Sequence, residues 1–416
     1  MKVIVPANIF YQALFVLCIA MPYFDNYEIT FMVWSFTAAA TICRKYSMEI
    51  IKQLACFAGI LLIAFFAMFF GKYQMYNIIR DFTYLIKPVL GLLIGYQICK
   101  RSYTGIFRLI VITGAIIASL HYIKLAIAVL VLHAHTVNDI RQHAGYFSDF
   151  EVFALILLLF YKRFDLGFSK KQVYVLVAFI GFSVFMYMAR TNFIQVVVLS
   201  MAMKNYFKIN RRSVILLSST IMLVVIGYSA ILYYNPKRNG DGLEALLYKI
   251  KLAPLEPFRT HVDLTDWKEF NDNYRSYENI MTMKQVPAEG VPAVLFGKGM
   301  GSTIDLKVKM WLGDQEMRYI SILHNGFMTV FLKSGLLGIV LFIISLRLNF
   351  KKRRSVLPRV RELNLLMLGT GIFMIISAWV FMGLYFLADT KSILIGMFIC
   401  AREAYIKQQA SGHLQE

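Results

Sequence analysis

The chain is a succession of apolar runs separated by short polar connections. Leu54 to Phe70 and Val173 to Ala189 carry no charge at all, and runs of roughly 17 to 25 such residues span a bilayer as helix, with every backbone polar group satisfied within the segment. Following the runs from one polar exit to the next predicts helices over 3–24, 27–43, 53–70, 78–99, 105–132, 150–161, 172–189, 191–207, 213–234, 322–346, 363–387 and 390–402. The reading is an all-α polytopic membrane protein of about twelve transmembrane helices. Helices 1 to 9 occupy 1–234, one large and partly helical loop 235–320, helices 10 to 12 the stretch 321–402, and a tail 403–416. There is no internal repeat and no low-complexity segment. The amino-terminal apolar run has no small-residue cleavage site before Pro22, so it reads as a retained first helix.

Composition agrees with the pattern. The 416 residues are 58% hydrophobic and only 16% charged, with a mean hydropathy of +0.60, against about 25% charged in a typical soluble domain. A soluble enzyme and a secreted disulfide scaffold are excluded. A membrane β-barrel is excluded too, because its strands alternate over about 10 residues instead of running solidly apolar.

The net charge of +20 suggests nucleic acid only until the charges are located. Every second connection is basic: Arg44-Lys45, Lys100-Arg101, Lys162-Arg163 with Lys170-Lys171, Lys208 with Arg211-Arg212, and Lys351 to Arg354. These connections and both termini hold 24 Lys/Arg against five Asp/Glu, whereas 235–320 holds 12 of each. The excess is therefore a positive-inside signature. It places both termini in the cytoplasm and the long loop outside, and it implies no nucleic-acid partner.

The five cysteines lie in or beside apolar runs and the long loop has none, so neither a disulfide framework nor a cysteine zinc site is expected. Within that loop Trp267, Phe270, Tyr274, Tyr277 and Met281 recur at steps of three and four, the pattern of an amphipathic helix lying on something apolar. Gly290, Pro292, Gly297, Gly299 and Gly301 then predict irregular chain up to the next span.

Three arginines fall on the outside. Arg190 sits between two apolar runs, where a charge costs about 2.5–3.5 kcal/mol at bilayer depth; it is either a snorkelling side chain or an anion site, since a guanidinium offers a donor fork matched to phosphate. Arg141 and Arg275, taken singly, read as solvated surface residues, but converging with Arg190 they make a clamp for a diphosphate. His324 opens the tenth span. At the outer edge it is an interfacial residue or, kept neutral among guanidinium groups, a general base. Arg80 and Lys87 on the fourth helix and Lys124 on the fifth are second-tier candidates for a charged lipid head group, with packing through carbonyls as the alternative. His133, His135, Asp139 and His143 match no zinc spacing, so no metal is expected. Gly297-Lys-Gly-Met-Gly-Ser lacks the flanking strand and helix of a nucleotide loop.

Four short motifs occur in order on the outside face: Arg141-(x)3-Gly145, Met188-Ala-Arg190-Thr, Tyr274-Arg275-(x)2-Tyr277 leading to Gly297-x-Gly-x-Gly301, and His324-Asn325-Gly with Gly335-(x)2-Gly338. Together, over about residues 130–345, this set resembles the O-antigen ligase/polymerase superfamily of membrane glycosyltransferases. It departs from that pattern at Ala189, where a serine commonly precedes the arginine, and at Gln142-His143, which replaces a proline-containing step. The resemblance implies a bacterial inner-membrane enzyme that takes a glycan from undecaprenyl diphosphate to an acceptor hydroxyl at the periplasmic face, without metal, cofactor or nucleotide. His324 is then the base, Arg190, Arg275 and Arg141 the diphosphate ligands, and Asn325 a secondary residue. The acceptor is another lipid-linked repeat unit in a polymerase, lipid A-core in a ligase, or a protein hydroxyl in an O-oligosaccharyltransferase. Polymerase is preferred by default, with a chain-length regulator as a candidate partner. The rival class is a twelve-span transporter, which usually shows two matched halves; none are visible here.

Overall fold

The computed structural model describes residues 7–102, 105–208, 211–237, 243–252, 262, 266, 270, 273–312 and 315–412. The chain is nearly all helical, and each of the twelve predicted segments contains a helix. In order these are α1 (Ala7–Ala20), α2 (Tyr27–Ala40), α3 (Met48–Ala67), α4 (Met75–Arg101), α5 (Ile106–Ala126), a short α6 (Val137–Ala144), α7 (Asp149–Leu159), α8 (Lys170–Met186), α9 (Arg190–Met203) and α10 (Arg211–Tyr234). The loop then contributes α11 (Leu243–Leu252), α12 (Tyr274–Ala288) and α13 (Val291–Phe296), and the chain ends in α14 (Gly326–Asn349), α15 (Pro358–Val380) and α16 (Lys391–Gly412). Starts are set by side-chain caps: Asn26, Ser47 and Ser148 each accept a backbone N–H of the first turn, and Ser169 with Gln172 forms a reciprocal capping box.

Among the described residues, five segments are long and apolar enough to cross a bilayer: Met48–Phe70, Met75–Arg101, Ile106–Val131, Gly326–Asn349 and Pro358–Val380. The ends of the last two helices differ most from the sequence reading. α15 stops at Val380 instead of 387, because Phe381 is extended and Gly383 turns left-handed at φ +57°. The last helix, expected to stop at 402, runs on to Gly412. Arg402 does not end it at a water boundary, because its guanidinium is drawn inside by Glu49, by the Asn364 side chain at 2.8 Å and by the Lys351 carbonyl at 3.1 Å.

α16 packs along α4 with almost no side chain between the two backbones. A Cβ on Gly95 falls 1.8 Å from the Ile393 carbonyl oxygen, and one on Gly396 falls 2.2 Å from that of Leu92, the close approach that small residues permit between apolar helices. α3 against α14 and α9 against α15 complete the buried core, which includes Phe57, Leu199, Phe342 and Met367.

The basic connections meet at one end of this assembly. Glu49 bonds Arg353 and Arg402, Arg163 reaches the Met203 carbonyl and Glu362, Asp165 pairs with Arg359, and Lys100 and Arg101 donate to the carbonyls of Lys45 and Ile42. The opposite end carries Lys124 on Asp25 at 2.9 Å, Tyr73 on the Lys298 carbonyl at 2.6 Å, and the part of the long loop that runs from α12 to α14.

That loop corrects one expectation. Where irregular chain is predicted after Gly301, residues Ile304–Leu312 (β1) and Gln315–Ile320 (β2) form an antiparallel hairpin with Ile304 opposite Ile320 and a bulge between Asp305 and Met310. The alternation is visible in Ile304-Asp-Leu-Lys-Val-Lys-Met, and Ile304, Leu306 and Met310 are buried while Lys307 and Lys309 are exposed. The amphipathic helix is present as α12, with Phe270, Tyr274, Tyr277 and Met281 buried against the hairpin; Trp267 lies outside the described residues. The Tyr277 hydroxyl donates to the Leu306 carbonyl at 2.7 Å, and Gln285 exchanges two bonds with the Asp305 backbone, which fixes α12 on the sheet.

Candidate active site

His324 lies in the linker between β2 and α14. Both of its flanks are fixed. Asn325 caps α14, its Oδ1 accepting from the amides of Phe327 and Met328 at 2.9 and 3.2 Å, and Thr329 bonds both the N–H and the carbonyl of Leu323. The histidine itself is held by Glu278 of α12. One carboxylate oxygen accepts the His324 backbone N–H at 2.9 Å, and the pair lies 3.0 and 3.2 Å from Nδ1. A carboxylate only accepts, so Nδ1 carries the proton and Nε2 is left as the basic nitrogen. The Glu278 side chain is 1% exposed and that of His324 35%: the orienting group is inside and the working group faces out. The Tyr274 ring meets the imidazole edge-on at 5.5 Å, and burial, then the nearby Glu278, push its phenol well above the ordinary range.

The sequence reading sets His324 among arginines and does not single out Glu278. Its signal was available. Glu278 follows Tyr274 by four and precedes Met281 by three, so a carboxylate stands on the apolar stripe of an amphipathic helix, where it needs a partner.

Phe381, also unmarked in the sequence, joins the histidine to the arginines. Its ring lies 6.3 Å from that of His324, and the Arg275 guanidinium carbon is 5.8 Å from its centre. On its other side it meets Phe147 at 5.2 Å and Phe386 at 4.6 Å, and Phe147 packs with Tyr187 and Ala189. Phe147 belongs to the segment that follows Arg141, and Ala189 immediately precedes Arg190. Met188 in left-handed conformation, φ +46°, makes the turn that starts α9 at Arg190. Burial first, then Arg190 and Arg275, hold the Arg141 guanidinium below its ordinary value, so three segments distant in sequence bring their cations within electrostatic reach of one another. Arg141 stacks on Tyr146 at 5.8 Å, and its Nε–H is buried without a protein acceptor. Such a cluster attracts an anion and offers forked donors to it.

The secondary candidates are placed differently. Lys87 is 4% exposed and donates to the carbonyls of Phe386 and Asp389; Lys124 donates to the Tyr23 carbonyl at 2.7 Å and to Asp25. Both act as struts between helices. Arg80 bonds Asn77 at 2.8 Å and the Ser321 hydroxyl, three residues before His324. Asn325 is the cap described above. Among the described residues no three of His, Cys, Asp and Glu come together as a metal-ligand group, and the five cysteines are buried and free.

The glycine run 297–301 serves the fold. α14 is broken inside by Gly335, at φ +63° and ψ −160°, which frees carbonyls of the preceding turn. The amides of Lys298 and Gly299 donate to the carbonyls of Leu332 and Lys333 at 2.8 and 3.1 Å, that of Met300 to Ala64 at 3.0 Å, and that of Gly301 to Asp81 at 2.7 Å. Four successive N–H groups are thus engaged by protein, and none is left to cradle a phosphate. Lys333 closes the arrangement from inside the break, its ammonium on Asp81 at 2.5 Å and on the Ser302 carbonyl at 2.6 Å.

Comparison with family models, with curated proteins and with solved structures finds no match to this chain.

Proposed function

We propose that this protein is an inverting glycosyltransferase of the outer face of a bacterial inner membrane, moving a glycan from undecaprenyl diphosphate to the hydroxyl of another lipid-linked repeat unit. In this reading the twelve segments, α1 to α5, α7 to α10 and α14 to α16, all span the bilayer, both termini are cytoplasmic, and 235–320 is periplasmic. The observation that carries it is a histidine oriented by a buried carboxylate and joined through the Phe381 ring to Arg275, with Arg190 and Arg275 both acting electrostatically on Arg141.

The chemistry follows from those parts. An acceptor O–H attacks the anomeric carbon; its proton passes to His324 Nε2, the C1–O bond to phosphate breaks, and the electron pair leaves on the diphosphate. Glu278 keeps Nδ1 protonated and stabilises the imidazolium that forms, a gain present only as charge develops. Arg141, Arg190 and Arg275 stabilise the charge on the leaving diphosphate. Outside the cytoplasm no sugar nucleotide is at hand, whereas a glycosyl diphosphate brings its own leaving group. Among the described residues the carboxylate bonded to the histidine is Glu278, held on Nδ1 as its orienting partner, so direct displacement with inversion is the simplest course.

Two measurements test this. Purified His324→Ala should bind the lipid diphosphate donor normally yet lose about 10²–10⁴ in turnover. Near-normal turnover in the variant would refute the base assignment. The acceptor is read from a deletion strain: lipopolysaccharide core bearing a single repeat indicates polymerase, bare core indicates ligase, and an unchanged glycan profile removes both.

A further inference from the structure

The basic pairs Arg44-Lys45 and Lys100-Arg101 mark orientation in the sequence, but the fold also brings them together. α2 and α3 both lean on α4, and between them runs a slot of about 430 Å³ lined by Ala39, Ile51, Leu54 and Leu93, with Tyr46 and Gln97 at its polar end. That end is ordered. Gln97, 1% exposed, accepts from Thr41 Oγ1 at 2.7 Å and donates to the Tyr46 hydroxyl at 2.6 Å, which also accepts the Cys43 amide at 3.1 Å. Lys100 lies over the rings of Tyr46 and Tyr96, at 6.0 and 5.7 Å, and donates to the Lys45 carbonyl. Arg101 donates to the Ile42 carbonyl at 2.9 Å.

The slot's walls are aliphatic and its mouth is cationic. Lys45, Lys100 and Arg101 are all exposed there, while Glu49, the acid at the start of α3, is taken by Arg353 and Arg402, and Glu403 accepts the Tyr96 hydroxyl. An ammonium carries three donors and a guanidinium five, more than the carbonyls named above engage. We infer that this slot is a binding site for an anionic phospholipid, with an acyl chain along Leu54 and Leu93 and the phosphate at Lys45, Lys100 and Arg101. Basic pockets between membrane helices take acidic head groups in this way, each cation adding a few-fold to the affinity. The site is at the end of the assembly opposite His324, and it does not depend on the glycan-transfer reading.

The test uses the full chain, purified in mild detergent and equilibrated with equimolar phosphatidylglycerol and phosphatidylethanolamine, with retained lipid counted by native mass spectrometry. Wild type should keep phosphatidylglycerol selectively. Lys45→Gln with Lys100→Gln should cut that preference by about fivefold per cation removed. Ala39→Trp fills the slot, leaves the cations in place and should lose both lipids. Because Lys100 also braces the turn at Lys45, Lys45→Gln alone is the companion variant: it should lose about fivefold with an unchanged melting temperature. Equal retention of the two lipids by wild type overturns the proposal. So does undiminished phosphatidylglycerol on a folded Ala39→Trp protein, or selectivity that survives the loss of the cations.

Discussion

Replacing Glu278 by Gln keeps the size of a fully buried side chain and removes its charge. The carboxylate makes two bonds to His324, one to the backbone amide at 2.9 Å and one to Nδ1 at 3.0 Å. Gln can still accept the amide N–H through its oxygen, so the linker between β2 and α14 stays in place. What is lost is the charge-assisted acceptor at Nδ1, and such bonds are worth about 1.5–3 kcal/mol; the amide nitrogen that takes its place is a donor, which favours the tautomer with the proton on Nε2 and adds to the loss. The loss falls mainly on the transition state, where the ring takes the acceptor proton and positive charge develops against this partner. At about 1.4 kcal/mol per tenfold, turnover should therefore fall at least about ten- to hundredfold, with the dissociation constant for a lipid diphosphate analogue within about twofold of wild type, since the loss falls on proton transfer and not on donor binding. The assay is single-turnover transfer by purified protein alongside donor binding. Because Glu278 acts through His324, Glu278→Gln should cost nothing further in a His324→Ala background, a coupling that a double-mutant cycle reads directly. Three results would refute the reasoning: full turnover in Glu278→Gln, equal losses in binding and turnover, or additive losses in the double variant. The last two assign Glu278 to folding alone.

Arg190→Lys keeps the charge but not the planar fork, so it should impair transfer nearly as much as Arg190→Ala if two diphosphate oxygens are gripped together; an active, normally expressed Arg190→Ala protein leaves only the snorkelling reading. Gly299→Ala places a Cβ 2.2 Å from the Met68 amide, and Gly335→Ala places one 2.5 Å from the Gly297 amide, both at positive φ. These should abolish the folded protein, whereas Gly105→Ala, at φ +74° with open space around it, should cost only the left-handed term of about 1–2 kcal/mol; melting in detergent orders the three. Cysteines placed at the exposed Lys284 and Lys352 should be labelled by an impermeant reagent in cells with a permeabilised outer membrane at the first site only, over a low background because the five native cysteines are buried. Labelling at Lys352 alone inverts the topology and removes the site from the periplasm.

Hydrophobic periodicity gave the sequence its authority over local structure. A run of about 20 apolar residues has one low-energy answer in a membrane, and Asn, Ser and Gly at its ends say where it starts and stops, so helices at all twelve segments were legible from the residues alone. Arg190 and His324 were legible as residues in need of a reason, since a charge or an imidazole beside an apolar run is costly without one, whereas Arg141 and Arg275 read singly as solvated surface residues. The partner of each was not legible. Glu278 stands 46 residues from His324, Lys333 252 from Asp81, and Lys87 299 from the Phe386 carbonyl it braces. No period or spacing encodes such meetings, because they depend on how helices cross and on which loop closes over them. For the same reason the residues at 297–301 read in sequence as a glycine-rich loop with no evident task; the break at Gly335, the end of α3 and Asp81 of α4, brought alongside, supply the acceptors that its amides satisfy. Side chains announce that they need a partner, and tertiary packing decides which one they get.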